Sequence, residues 1–502
     1  MSWRARLDAV QRGAPDPDTY AELAREALSE GEEESVIPLL LAVADKGRDA
    51  LLWQWAGLLQ RSLDEHAAAL KSFGNASRLA PGDAKIAHGH ARIALEAGQD
   101  AVALFERARA LAPADGEILL GLAAARTAVG DGERGAAELA AVLDRSPLWL
   151  VGHQQLAQLQ ATLGRPDQAT ASVERALAAH PADDRLWTAL FAIHLRRENF
   201  AALAAGVERA RAAGVPGAAL QAYEAIAAAE LDHRRHPPAL FDPAGPANDA
   251  ILGIWRIRHL LRGGAVDEAL PIIDRELATE RAAQTWPYAL IAWRMAGDAR
   301  SQWLEGDAQL VSIQDLTDLP PLDRLAELLR SLHVAKGEYL DQSVRGGTQT
   351  DGPLLCRVEP DIRALRRAVV AAVERHVAKL PPPVANHPLL APRRDRRIRF
   401  SGSWSVRLRG AGHHANHVHP QGWISSALYI ALPERRRGEP DDAGWLTLGE
   451  PQAELGVALP PRAKIEPKPG RLVLFPSWMW HGTRAFAQGE RLTVAFDVRP
   501  PI

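Results

Sequence analysis

The stretch His414-Ala-Asn-His417-Val-His419-Pro420, followed by the apolar run 424–431, decides how the C-terminal half of this chain is read. Two histidines one residue apart on an extended segment project to the same side, because side chains alternate with a period of two. A third histidine from a distant strand can complete one face of a metal ion, and Trp480-His481 supplies it. Iron is the leading metal for such a face. Ten residues past His481 stands Arg491, with Thr493 two residues further and so on the same side of an extended strand. A guanidinium there can form a paired hydrogen bond with a carboxylate, and the threonine hydroxyl can add another. The expected site therefore binds a metal and an acid side by side.

Around these residues the chain reads as short strands over 398–400, 404–409, 424–431, 445–448, 471–475 and 492–498, with Gly or Pro between them. That spacing predicts a compact antiparallel barrel or sandwich, which would hold ligands where strand ends converge. Helices are expected over 322–335 and 360–380. The polar stretch 342–350, which holds Arg345, Gly346, Gly347 and Gln349, reads as a loop with backbone donors open to a ligand. His413 and His414 read as loop histidines. Trp423, Trp478 and Trp480 lie near the expected mouth and could line a substrate groove, with at least one of them packed in the core.

The N-terminal half repeats itself. Prolines at 81, 113, 147 and 181 are spaced by 32, 34 and 34 residues, in the settings LAPGD, LAPAD and AHPAD for the first, second and fourth. Eight positions before each proline stand Phe73, Phe105, Leu139 and Val173; five before stand Ala76, Ala108, Val142 and Ala176. Positions twenty-four before hold Gly57, Gly89, Ala123 and Ala157. Small residues at fixed points let paired helices approach, larger ones fill the gap, and proline stops the second helix. The pattern resembles the tetratricopeptide repeat over about residues 36–213. That resemblance implies a superhelix whose concave surface binds a peptide or partner protein; the alternative is that the helices brace the C-terminal domain or mediate self-association. A Pro-rich loop is expected at 233–248, degenerate repeats at 249–310, and a separate domain at 320–502 with its barrel core at 398–500, after a solenoid at 1–232.

Composition excludes little. The 502 residues are 47% apolar and 24% charged, with a formal net charge of -3, so no polyanion and no nucleic acid is implied. Arg393-Arg394-Asp395-Arg396-Arg397 reads as a solvated turn ahead of a strand. A single cysteine, Cys356, precludes an internal disulfide and is expected to be a packed core thiol. No apolar run of membrane-spanning length and no leader pattern is found, so the cytoplasm is the expected location.

Several segments together resemble the 2-oxoglutarate- and iron(II)-dependent oxygenases, in the branch attached to tetratricopeptide repeats. They are QSVRGGTQT from Gln342, Gly402-Ser-Trp404-Ser-Val-Arg-Leu408, NHVHPQGWISSALYIALP from Asn416, Gly444-Trp445-Leu446, PKPGRLVLFPSWMWHGT and ERLTVAFDVRP. Prolyl hydroxylases share the plan of two spaced ligands, a distal histidine and a later basic residue, and the last segment is also similar to aspartyl/asparaginyl hydroxylases. The resemblance implies a double-stranded β-helix, or jelly roll, with supporting helices. It further implies Fe(II) held by His417, His419 and His481, 2-oxoglutarate held by Arg491, Thr493 and Tyr429, O2 as oxidant, and hydroxylation as the outcome. Asn416, Trp423, Trp480, Arg345 and Gln349 are the candidates for contact with substrate, expected to be a protein or peptide brought by the repeats. The family at large uses His-x-Asp or His-x-Glu, whereas this chain has His417-Val418-His419. Three readings stay open: His419 completes a three-histidine site, or stands behind the ligands, or is itself the first ligand with His417 outside. A non-catalytic scaffold and an oxygenase of small metabolites are the competing functions.

Overall fold

The computed structural model describes residues 3–12, 16–231, 249–340 and 343–501. The Pro-rich segment expected at 233–248 and Gln342 lie outside the described residues.

The N-terminal part is a stack of antiparallel helix pairs, among them Ala50–Ser62 with His66–Leu79, Ala84–Glu96 with Val102–Leu111, and Gly116–Ala128 with Gly132–Arg145. The proline motif does two jobs. Proline cannot extend the helix before it, and the aspartate two residues on caps the helix after it. Asp83, Asp115 and Asp183 each accept hydrogen bonds from backbone N–H groups of the first turn. In the third repeat this position is Trp149, which provides no side-chain cap. Glycine admits the aromatic wedge between pairs: a Cβ on Gly57 would meet the Phe73 ring at 2.7 Å. Helices continue through Asp249–Arg262, Val266–Leu277 and Ala282–Ala296 to Arg300–Glu305. Among the described residues no helix is long and apolar enough to cross a membrane.

Nine strands follow among the described residues: β1 Ser312–Asp315, β2 Val344–Gln349, β3 Phe400–His417, β4 Ile424–Ala431, β5 Leu446–Leu448, β6 Ala463–Ile465, β7 Arg471–Pro476, β8 His481–Thr483 and β9 Glu490–Val498. Their order is β1-β7-β4-β9-β3-β8-β5-β6, with β2 beside β3, and each pair is antiparallel. The long β3 belongs to both halves of this jelly-roll half-barrel. Its first part pairs with β9, and its end pairs with β8. Between them Ala411 takes φ 63°, which bends the strand from one half to the other. On β9 the apolar Leu492, Val494, Phe496 and Val498 face the helices Leu322–Ser331 and Pro360–Lys379 in one core. The alternate residues Arg491, Thr493, Ala495 and Asp497 face the barrel interior.

Two expectations about loops are corrected. Residues 344–349 form a strand on β3, not a ligand loop. The glycine pair serves a register shift there: Gly346 has φ 69°, a Cβ on Gly347 would meet the Arg407 carbonyl at 2.5 Å, and the Gly346 N–H already donates to Glu338. His413 and His414 are likewise strand residues, since β2 and β8 pair with this part of β3. The two strands expected over 398–400 and 404–409 are one.

The solenoid lies along the barrel by one edge. The turns inside successive repeats carry residues with positive φ at Asp64, Gly98, Gly130, Gly164 and Glu198. They meet the C-terminal part directly, through a neighbour or across a shared cavity. The Phe400 N–H donates to Asp64 (3.0 Å), the Val358 N–H to the Ala97 carbonyl (3.1 Å), and the Lys336 N–H to the Thr162 carbonyl (2.8 Å), while Glu198 borders the cavity described below. The basic cluster is not a solvated turn. Arg396 pairs with Glu32 at 2.7 Å, Arg397 with Glu65 at 2.7 Å, and Arg399 just beyond pairs with the buried Glu33 at 2.8 Å. Cys356 is buried, and burial pushes its thiol pKa up.

Candidate metal centre

His417 ends β3, His481 begins β8, and the two face each other across the pair. His419 follows in the turn that leads to β4. One nitrogen from each of the three rings lies within 4.8 Å of the others. Ring centroids are 4.2 Å apart for His417 and His481, 4.9 Å for His417 and His419, and 5.0 Å for His419 and His481.

In each ring Nδ1 is committed elsewhere. His417 Nδ1 donates to the Ala415 carbonyl (2.8 Å), and His481 Nδ1 to the Met479 carbonyl (3.0 Å). His419 Nδ1 lies 2.6 Å from Asp497 Oδ2. A carbonyl can only accept, so the proton sits on Nδ1 and the Nε2 lone pair is left for a metal. Burial holds the His481 pKa well below its usual value; burial and the neighbouring His419 bring that of His417 down to about 3. Neutral imidazoles are the form that ligates metal. The Ser343 hydroxyl lies 3.1 Å from His417 Nε2.

Asp497 is itself fixed. Its Oδ1 lies 2.6 Å from Ser425 Oγ, which lies 2.9 Å from Ser477 Oγ, and the Ser477 carbonyl accepts the His419 N–H at 2.9 Å. Trp404 stacks on the His419 ring at 5.5 Å between centroids. Backbone, carboxylate and indole thus set the direction of His419 together.

Deeper in the barrel, Arg491 is 2% exposed. Its guanidinium stands 5.0 Å from the centroid of the Tyr429 ring, and Thr493 lies across from Tyr429 in the strand register. Burial lowers the Arg491 pKa and Tyr429 opposes that; no acidic side chain acts on it among the described residues. Arg491 Nε, Thr483 Oγ1 and His414 Nε2 are sealed from solvent without a hydrogen-bond partner. A buried guanidinium without a counter-ion is costly, and a carboxylate ligand is what would satisfy it. Three converging ring nitrogens, in a barrel that also holds a buried guanidinium without a carboxylate partner among the described residues, fit a divalent metal and a dicarboxylate 2-oxo acid.

A cavity of about 300 Å³ borders the triad at His417, with His417, Asn416 and Arg345 on the barrel side and Arg197, Glu198 and Tyr288 on the solenoid side. Trp480 lines it too, with Nε1 donating to the Pro287 carbonyl (3.1 Å) and its ring edge-on to Tyr288 at 5.7 Å. Asn416 ties strands together: its amide donates to the Pro451 carbonyl (3.1 Å) and its oxygen accepts from Thr447 (3.4 Å). Two candidates lie elsewhere. Trp423 packs in the core against the supporting helices, its Nε1 bonded to the Leu389 carbonyl at 3.0 Å. Gln349 borders a different cavity, against the Gly130 and Leu163 turns of the solenoid, because β2 carries it away from the triad. Sequence reasoning missed Asp497, although it shares the parity of Arg491 and Thr493 on one strand. It also missed Trp404 as the partner of His419. For Arg197 and Glu198 no signal in the sequence pointed to the site.

Residues 402–497 match the family model described as "Putative 2OG-Fe(II) oxygenase". The C-terminal domain is of the 2OG-Fe(II) oxygenase type. Residues 150–193 match a tetratricopeptide repeat model. No curated protein matches the chain. Similar solved structures include a Pseudomonas putida prolyl-4-hydroxylase, 18% identical over 39% of this chain and 95% of that one, with a TM-score of 0.26. YrrB, described as a tetratricopeptide-repeat protein with an unusual peptide-binding site, is 17% identical over 37% of this chain and 97% of its own, with a TM-score of 0.29. MamA from Desulfovibrio magneticus RS-1 is 20% identical over 34% and 99%, with a TM-score of 0.29.

Proposed function

We propose that this chain is a 2-oxoglutarate- and iron(II)-dependent hydroxylase, with His417, His419 and His481 as metal ligands and Arg491, Thr493 and Tyr429 as the seat of the co-substrate's distal carboxylate. One observation carries this reading: three rings with committed Nδ1 atoms converge on one point beside a buried arginine that no acid pairs. Iron(II) with 2-oxoglutarate and O2 supplies the oxidation of an unactivated C–H bond, with succinate and carbon dioxide as by-products. The protein's own part is positional. The Asp497 carboxylate and the Trp404 ring orient His419; Arg491, desolvated under the sheet, selects a carboxylate of matching reach. Arg345, Asn416 and Trp480 border the space left for substrate.

The substrate class we favour is a protein or peptide segment that enters between barrel and solenoid. The repeat match and the contribution of Arg197 and Glu198 to the cavity support it. The cavity's modest size also suits a small metabolite, and this is the second reading. We place the protein in the cytoplasm, supported by a lone, buried cysteine. The test is release of succinate by the purified full-length chain with iron(II), 2-oxoglutarate and oxygen. Absence of both iron retention and turnover, with cell extract as a source of substrate, would leave a scaffold as the function.

A further inference from the structure

Buried polar atoms are nearly always paired, so several unpaired ones around one space mark a place shaped for a polar ligand. His414 Nε2, Thr483 Oγ1 and Arg491 Nε are such atoms. His414 faces Thr483 across β3 and β8, one step along the same pair from His417 and His481. Residues directly opposite on antiparallel strands project to the same side of the sheet. The register shift between His414 and His417 lets residues three apart share that side. The His414 ring stands 5.9 Å from that of His417, edge-on at 77°, and the charge of Arg491 also reaches it. It lies outside the converging triad. His414 stands opposite Val344 of β2 and Leu408 opposite Gly347, and Leu408 in turn faces Arg491 on β9, so along β3 His414 comes between His417 and the partner of the buried arginine.

We propose that His414 and Thr483 form a second clamp on the co-substrate, with His414 donating from Nε2 and Thr483 from its hydroxyl to the 2-oxo dicarboxylate between the metal and Arg491. This rests on the oxygenase reading above. It assigns to two neutral donors a part of the binding that Arg491 alone does not explain, because both stand on the β3–β8 pair that carries His417 and His481 and both are left without a partner there.

The test is calorimetric titration of 2-oxoglutarate, without oxygen, into the full-length protein loaded with manganese(II), for wild type and the variants His414→Phe, His414→Gln, Thr483→Val and Arg491→Leu. His414→Phe and Thr483→Val each weaken binding at least about tenfold, as loss of a hydrogen bond to a charged group does. His414→Gln, which keeps an N–H donor, recovers most of the loss. Manganese affinity, titrated alone, stays within about threefold of wild type in these variants. Unchanged 2-oxoglutarate affinity in Thr483→Val and in a folded His414→Phe overturns the clamp, and if His414→Phe does not fold, Thr483→Val and His414→Gln decide. A fall in manganese affinity with 2-oxoglutarate affinity intact makes His414 a metal ligand instead, and equally overturns it. If the clamp variants bind normally and only Arg491→Leu is defective, the clamp alone fails. If the metal-loaded wild type does not bind 2-oxoglutarate, the oxygenase reading fails with it.

Discussion

Asp497 Oδ2 stands 2.6 Å from Nδ1 of His419, a residue 78 positions earlier in the chain. A carboxylate from the last strand thus stands behind the histidine proposed as the third ligand. If His419 ligates as proposed, a carboxylate in that position orients the ring and raises the basicity of its other nitrogen, and so supplies negative charge to the site at one remove. Asp497→Asn keeps the shape and removes the charge. Metal affinity should fall by about 10- to 100-fold, measured by titration with a divalent ion. An unaltered affinity would show that His419 does not ligate.

Arg491 is buried with no acid beside it among the described residues. Arg491→Leu should therefore stabilise the ligand-free protein, by about 1–3 kcal/mol, since apolar replacements of buried charge are often neutral or better. The same variant should lose the rise in melting temperature that 2-oxoglutarate confers on the wild type. A destabilised variant that still responds to 2-oxoglutarate would contradict both halves.

Acid should weaken the metal-free fold. The folded-state pKa of His417, about 3, lies below its ordinary value of 6.5, so folding favours the neutral ring. That contribution is present above pH 6.5 and is lost as pH falls towards 3, with a slope of about 1.4 kcal/mol per pH unit for each proton taken up on unfolding. Urea unfolding between pH 7 and 4 should show it, and His417→Asn should flatten the slope.

Glu33 is 1% exposed and meets Arg399 through two hydrogen bonds of 2.8 and 3.2 Å. Removing Arg399 leaves the buried carboxylate with the Ser62 hydroxyl and no counter-charge from this pair, so Arg399→Ala should cost about 3–5 kcal/mol, read as a lower midpoint of chemical unfolding. A variant within 1 kcal/mol, roughly the value of an exposed pair, would mean that this contact opens to water.

The barrel shares one core with the last helices of the solenoid: Ile257, Tyr288, Leu290 and Trp293 pack in the cluster that holds Leu446, Leu448, Phe475 and Trp480. A chain cut to residues 311–502 should thus expose that cluster and aggregate. A soluble, monomeric fragment with wild-type circular dichroism per residue would show that the helices are dispensable to the barrel.

Much of the fold was legible because its signals are local. Pro81-Gly-Asp83 stops one helix and caps the next with residues two apart, so the repeat can be read without knowing where the helices pack. Its weakest member, at Trp149, is also where the cap is lost. Alternation along β9 places Arg491 and Thr493 on one face from sequence alone. The stretch 344–349 misled, because glycines that suit a ligand loop equally suit a bulge against β3, and only the partner strand distinguishes the two. Trp423 misled for a related reason: nearness in sequence to the mouth does not say which way a ring turns.

From its own order of residues, then, the chain determined a helical repeat, an antiparallel barrel and a set of histidines with an arginine at a spacing suited to metal and acid, since each depends on a period of two or of 34 residues that the sequence carries directly. The tertiary structure alone decided that Asp497 stands behind His419 and that Glu198, on a solenoid turn, borders the cavity over His417. Those meetings follow from sheet register and from the docking of one edge of the solenoid, which are set by packing among residues far apart in the chain and leave no periodic trace in it.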